Sequence, residues 1–321
     1  GERVVRETRA DLLRALSLFE TEGWLDDPRA YHRDPERTPA VAVSERSWLG
    51  TDYEAITFPS RWRPASRHPG TARWRQAVGN KVVHGAVLRH RGPQRPWLVC
   101  VHGYGMGTPA IDFAVFDVER AHREYGLNVL TLTLPFHGAR AKGSKGSGDL
   151  ISTGFTNMML CHAQAVWDVR RALRWLRRDG ARHIGVHGVS LGGNVAALLA
   201  GLEPELEQLI VGVPALDFTH SYRSAAAEEA GASDGSIPLR DDPLWDDLRR
   251  VLSVISPTAM APSIDPARLA IYAGQVDGVV PTKSVRMLWK HWQRPEIVWY
   301  PGGHLSFFLE AKPRALVERR L

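Results

Sequence analysis

Apolar and polar residues run along this chain with two different periods, and the switches between them mark its elements. Leu12, Leu13, Leu16 and Phe19 share one side of an amphipathic helix predicted over residues 8–23. The Pro- and Arg-rich stretch after it, to about Ser47, has neither period and reads as irregular. Residues 53–58 and 81–90 read as an antiparallel edge pair. Short apolar runs follow at 97–101, 128–134, 182–187, 208–213, 270–277 and 296–300, the fifth of them a strand leading into a turn. Helical segments at 156–179, at 191–202 and from about Thr282 lie between them. Strands alternating with helices imply an α/β fold with a mostly parallel twisted sheet covered by helices on both faces. Ligands of such a sheet bind at the carboxyl ends of its strands. The chain therefore divides into a helical extension, residues 1–50, and one α/β domain, residues 51–321, with a two-helix insertion at about 218–261.

Composition changes this picture little. The chain has 321 residues, 44% apolar and 24% charged, as an ordinary globular protein does. No apolar run approaches the length of a bilayer span. The net charge of +6 is spread along the chain, and many arginines cluster on the helix around residues 168–178, where Val169, Leu173 and Leu176 keep helical spacing. The arginines there read as a solvated face rather than a nucleic-acid surface. Cys100 and Cys161 are the only cysteines, which excludes a disulfide framework and any zinc-ligand spacing, and Cys100 reads as a buried inert thiol. No cofactor or metal is expected. The opening residues lack an apolar signal core, which points to the cytoplasm.

One apolar run ends in Gly188-Val-Ser190-Leu-Gly192 and continues into a helix. A serine on a strained strand-to-helix turn needs small residues two before and two after it. Upstream, residues 97–101 run into His102-Gly103-Tyr104-Gly105. Downstream, Asp277 lies in Gly274-Gln-Val-Asp277-Gly-Val-Val-Pro281 and His304 in Gly302-Gly-His304. The order Ser, Asp, His, each after a predicted strand, resembles the α/β-hydrolase superfamily over roughly residues 75–315. Within it the chain is similar to bacterial esterase-type members, near the group called abhydrolase domain-containing protein 18. The resemblance makes the 51–321 unit a catalytic domain and the insertion at 218–261 a lid.

The chemistry of such a site assigns each residue a task. Ser190 attacks a carboxylic ester, a neutral His304 takes its proton, and an ionised Asp277 orients the imidazole and stabilises the imidazolium. The amides of Leu191 and Tyr104 would receive the developing oxyanion. Thioester, amide or acyl-transfer chemistry would use the same machinery, and a noncatalytic ligand-binding protein could keep the fold. His102, His137 and His187 are rivals to His304. His102 opens a tight turn, His187 packs or bonds at the elbow, and His137 is the strongest rival, otherwise shaping the pocket wall or binding substrate. Asp217, after the strand at 208–213, is the alternative acid. In the lid segment Tyr222, Leu244, Trp245, Leu248 and Met260 read as apolar pocket surface; for Tyr222, Trp245 and Met260, as for His137, this means substrate binding. The Gly- and Ser-rich basic loop 140–149 lacks the spacing of a phosphate loop and reads as a mobile surface loop. The expected partner is a small-molecule ester; oligomeric state is left open.

Overall fold

The computed structural model describes residues 2–141, 154–229 and 243–321. Nine strands form one sheet in the order β1-β2-β3-β5-β4-β6-β7-β8-β9. They are β1 (Ala42–Trp48), β2 (Thr51–Pro59), β3 (Val82–Leu88), β4 (Trp97–Val101), β5 (Asn128–Leu132), β6 (Ile184–Val189), β7 (Gln208–Gly212), β8 (Leu269–Gly274) and β9 (Glu296–Tyr300). The first three strands and β5 pair antiparallel. From β5 through β4 to β9 every pairing is parallel. In β4, β5 and β8 every residue is buried, as befits strands covered on both faces.

Alternation within those strands feeds two separate cores. Val99, Val101, Val186, Val211 and Ile271 face a large layer built from the helices Phe155–Arg178, Leu191–Leu199, Leu244–Leu252 and Thr282–His291. Leu98, Cys100, Val189, Ile210 and Tyr272 face a thinner layer, the helices Pro109–Val115 and Val118–Arg123 and the C-terminal helix Ala311–Arg320. Both cysteines are buried and free. No described helix is long and apolar enough to cross a membrane.

Four expectations need correction. The stretch read as irregular contains β1, which extends the sheet beyond β2. Every residue of β1 is exposed, so no buried face left a period of two to detect. The N-terminal helix, Glu2–Thr21, buries Leu12, Ala15, Leu18 and Phe19, whereas Leu13 is 52% exposed. The stripe 12, 15, 16, 19 follows the 3.6-residue period, and Leu13 falls about 100° off it. The arginine-rich helix is not wholly solvated on its polar face: Arg170 is buried under the N-terminal segment, and Arg171 is buried over the Phe58 ring. Arg170 bonds Glu203 and Asp34, and Arg174 also reaches Asp34. Arg140, assigned to a mobile loop, has a fully buried side chain paired with Asp168 at 2.9 Å; residues 142–149 of that loop lie outside the described residues.

The N-terminal segment is fastened to the insertion as well. Glu20 pairs with Arg250, His32 Nε2 bonds the Val254 carbonyl at 2.7 Å, and Arg29 donates to the Ala261 carbonyl at 2.6 Å. The insertion's two helices are Phe218–Glu229 and Leu244–Leu252, and residues 230–242 lie outside the described residues.

Candidate active site

Ser190 sits between β6 and the helix Leu191–Leu199 with φ 53° and ψ −115°, a conformation that costs a non-glycine residue about 1–3 kcal/mol. The surroundings impose it. Its N–H donates to the Gly212 carbonyl at 2.9 Å, and its own carbonyl accepts from the amides of Asn194 and Ala215, each at 3.0 Å. The flanking glycines are obligatory on space alone: a Cβ at Gly188 would strike the Gly192 carbonyl, and one at Gly192 the carbonyl of Val101. The turn therefore projects the serine side chain beyond the carboxyl edge of the sheet.

Two other loops meet it there. After β8, Asp277 closes a turn on itself, its Oδ1 accepting from the amides of Val279 and Val280, both at 2.8 Å. Its Oδ2 lies 2.8 Å from His304 Nδ1. Burial works to raise this carboxyl, but the hydrogen bonds from His304, Val280 and Val279 outweigh it and hold the group below its ordinary value. A carboxylate only accepts, so Nδ1 carries the imidazole proton and Nε2 presents a lone pair. That lone pair lies 2.9 Å from Ser190 Oγ. The histidine loop after β9 is held by Tyr300 Oη, which donates to the Gly303 carbonyl at 2.8 Å. The side chains of Asp277 and His304 are 3% and 10% exposed, so the chain of bonds is largely shielded from water.

Residues 90–230 match the model of the family described as alpha/beta hydrolase domain containing 18. Over 324 residues the chain is 36% identical to the protein MT2702 of Mycobacterium tuberculosis (strain CDC 1551 / Oshkosh), covering 100% of this chain and 76% of that one. It is 35% identical over 324 residues to Rv2627c of Mycobacterium tuberculosis (strain ATCC 25618 / H37Rv), with the same coverage. The chain belongs to the α/β-hydrolase superfamily. Among solved structures, this α/β-hydrolase is similar to acetyl xylan esterase 1 from Thermoanaerobacterium sp. JW/SL YS485, with TM-score 0.64, 16% identity and 92% of each chain covered. It is also similar to the acetyl xylan esterase from Paenibacillus sp. R4, with TM-score 0.59, 18% identity and 94% of each chain covered. At such identities the likeness is one of fold.

The loop after β4 reaches over the elbow of this α/β-hydrolase, and a Cβ on Gly103 would stand 3.3 Å from that of Ser190. Tyr104 follows, 44% exposed as a residue, with its ring edge-on to His137 at 5.8 Å. Leu191 opens the elbow helix, where first-turn amides have no intrahelical acceptor. The loop's far end is tied down by Asp112, whose Oδ1 accepts from the Gly107 amide at 3.0 Å. Burial raises that carboxyl to about 7. Asp112 gave no signal in the sequence, since an acidic residue in a helix's first turn is commonplace.

The rivals lie elsewhere. His102 donates from Nδ1 to the Gly103 carbonyl at 2.7 Å and accepts at Nε2 from the Leu134 amide at 2.9 Å. Burial, with His137 adding to it, lowers its pKa to about 3. His137 is buried against the His102 ring and its Nδ1 bonds the Pro135 carbonyl at 2.8 Å; burial lowers it to about 4. His187 bonds Tyr272 across the sheet rather than anything in the elbow. Asp217 is exposed and accepts from the His220 amide, which makes it a cap for the helix Phe218–Glu229.

Of the insertion residues, Tyr222 lies one turn after Phe218, whose ring meets His162 at 4.9 Å. Trp245 stands under the Arg223 guanidinium, 5.5 Å from its ring centre. Leu248 is buried and Leu244 partly so, both in the larger core. Met260 is buried, packs against Gly201 past the far end of the elbow helix, and its carbonyl bonds His291.

A buried network shapes the loop after β5. The Arg140 guanidinium donates to the carbonyls of Thr133 and Asn80 and to Asp168, and Ser60 Oγ donates to the same carboxylate at 2.5 Å. Asn80 Oδ1 in turn accepts from the Phe136 amide at 2.8 Å, where the backbone has φ 65°. Nothing in a Gly- and Ser-rich basic stretch announces such an arginine.

Proposed function

We propose that this α/β-hydrolase cleaves a carboxylic ester through an acyl-enzyme on Ser190, with His304 as general base and Asp277 as orienting acid. The observation that supports this best is the continuous chain from Oγ to Nε2 at 2.9 Å and from Nδ1 to Oδ2 at 2.8 Å. As Ser190 Oγ bonds the substrate carbonyl carbon, its proton passes to His304 Nε2, and the imidazolium is stabilised by the ionised Asp277. The carbonyl oxygen becomes an oxyanion received by the amides of Leu191 and Tyr104. Collapse breaks the bond to the alcohol, which leaves with the proton from Nε2. Water then repeats the sequence on the acyl-enzyme and restores the serine. Tyr222 and Trp245, with Phe218 and His162, form the wall that receives the acyl group, and the segment 218–261 acts as its lid. His137 supports Tyr104 from beneath, the role its ring contact favours over direct substrate binding.

A fluorophosphonate probe followed by intact-mass measurement tests the nucleophile. One adduct on the wild type and none on Ser190→Ala is the expected result; an adduct that survives the substitution would overturn it. Hydrolysis of p-nitrophenyl esters from acetate to palmitate then sizes the acyl pocket. Transfer to an added alcohol or amine that outpaces hydrolysis would move the assignment to an acyltransferase.

A further inference from the structure

The loops after β8 and β9 do more than deliver Asp277 and His304. They lie side by side, the Val276 amide donating to the Gly302 carbonyl at 3.3 Å. Their tips carry apolar side chains in contact with solvent. Val276 and Val279 flank Asp277, Leu305 follows His304, and Leu309 lies five residues past it; all four are 59% to 76% exposed. Phe308 is exposed as well and stands edge-on to Phe307 at 5.7 Å. On the other side of β6, the exposed Tyr104 tops the loop after β4. Single apolar residues at a surface need no explanation, but a group of them on adjoining loops beside a cleft marks a face that something covers.

The charge around this group is one-sided. Residues 275–314 contain six cations, Lys283, Arg286, Lys290, Arg294, Lys312 and Arg314, against three acids. Two of the acids are engaged: Asp277 is buried against His304, and Glu296 is bonded by Arg319 and Arg320. The helices Thr282–His291 and Ala311–Arg320 both begin at the carboxyl edge of the sheet, and neither has an acid in its first turn. Lys283 stands there in one, Lys312 and Arg314 in the other, where the positive end of the helix dipole disfavours a cation. All three are exposed, and none is in an ion pair among the described residues; Arg314 donates to the Phe308 carbonyl at 3.5 Å.

Apolar tips flanked by uncompensated cations fit an anionic bilayer, whose acyl region takes up the apolar groups while its headgroups meet Lys and Arg. A second copy of the same face would set positive charge against positive charge. We propose that the loops after β8 and β9 form a docking surface for an anionic lipid bilayer, with Val276, Val279, Leu305 and Leu309 entering the interface and Lys283, Lys312 and Arg314 meeting the headgroups. Docking of this kind needs no turnover at Ser190, so it is measured apart from ester hydrolysis.

Co-sedimentation of the whole chain with vesicles is the test, with phosphatidylcholine alone and with phosphatidylcholine mixed in equal parts with phosphatidylglycerol. The wild type and Ser190→Ala should partition equally onto the mixed vesicles and far less onto phosphatidylcholine alone. Lys283→Ala and Lys312→Ala should each lower the partition coefficient roughly fivefold, the worth of one cation near an anionic surface. Leu305→Ser combined with Leu309→Ser should lower it by roughly tenfold or more. Lys290→Ala, at the far end of the helix Thr282–His291 and equally exposed, should leave it unchanged. These lysines and leucines all lie at the surface, so the substitutions alter the face and not the core. No partition of the wild type onto the mixed vesicles would overturn the proposal. So would a loss in Lys290→Ala as large as that in Lys283→Ala, or unchanged partition in the leucine pair. A concentration-dependent dimer that the leucine pair abolishes would assign the face to a second copy instead.

Discussion

His304 and His102 both lie where loops leave the carboxyl ends of strands, yet they use their ring nitrogens in opposite ways. His304 bonds a carboxylate on one side and a hydroxyl on the other. Its carboxylate partner favours a positive ring, and its hydroxyl partner has a proton to give. His102 bonds a backbone carbonyl and a backbone amide. Neither can follow a change in its protonation, and adding a proton would break the bond from the Leu134 amide inside the core. In the proposed mechanism the same side chain is a base in one loop and a staple in the other, and the difference lies in what its two nitrogens touch.

Four experiments can break or sharpen that contrast. Removing the base should have the largest effect: His304→Ala and Ser190→Ala should each lower ester turnover by roughly 10⁴- to 10⁶-fold while leaving the thermal midpoint close to that of the wild type. Asp277→Asn should follow, at about 10⁴-fold in kcat, because an amide that donates to Nδ1 holds the imidazole in the wrong tautomer. His102→Leu should invert the pattern. It leaves the amide of Leu134 without its buried acceptor, so denaturant unfolding should show a loss of about 1–3 kcal/mol, with activity falling only as far as the loop at Gly103 loosens. A turnover loss as large as that of His304→Ala, in a folded His102→Leu protein, would show that the staple reading is wrong.

The smallest effect concerns acid. His102, His137, His187, His162, His32 and His68 all have pKa values lowered chiefly by burial, to about 3 or about 4. Above pH ~6.5 these rings are neutral whether the chain is folded or unfolded, and they add no pH dependence. Below it the unfolded chain binds the extra protons, so stability should fall as pH drops from about 6.5 towards about 4. His102→Leu removes one of these sites and should flatten the slope by up to about 1.4 kcal/mol per pH unit. A slope identical to that of the wild type would mean that His102 is not held neutral.

How much of this could be read in advance depended on how steric or how tertiary each feature is. The glycines around Ser190 and His304 and the turn after Asp277 mark local constraints, which leave local signatures. Strands β4 and β9 were predicted at the bounds observed, each carrying at least four consecutive apolar residues. Strand β1 escaped because both of its faces meet solvent. Arg140 and Asp112 escaped because their partners lie in folded geometry that no spacing encodes. Leu13 was misassigned for a third reason: an apolar residue beside a helix stripe shows that a buried face passes nearby without saying that the residue belongs to it.

The bonds that fasten the N-terminal segment to the insertion set the timing of this protein's assembly. Arg29 and the Ala261 carbonyl it grips are 232 residues apart. At a synthesis rate of roughly 5–20 residues per second, the first helix leaves the ribosome about ten seconds to most of a minute before its last partner. During that interval Phe19 can meet Trp24, Tyr31 and His68, but the helix Leu244–Leu252, which packs on the same N-terminal helix, has still to be made. A segment made early thus completes its contacts only once the insertion has followed it out.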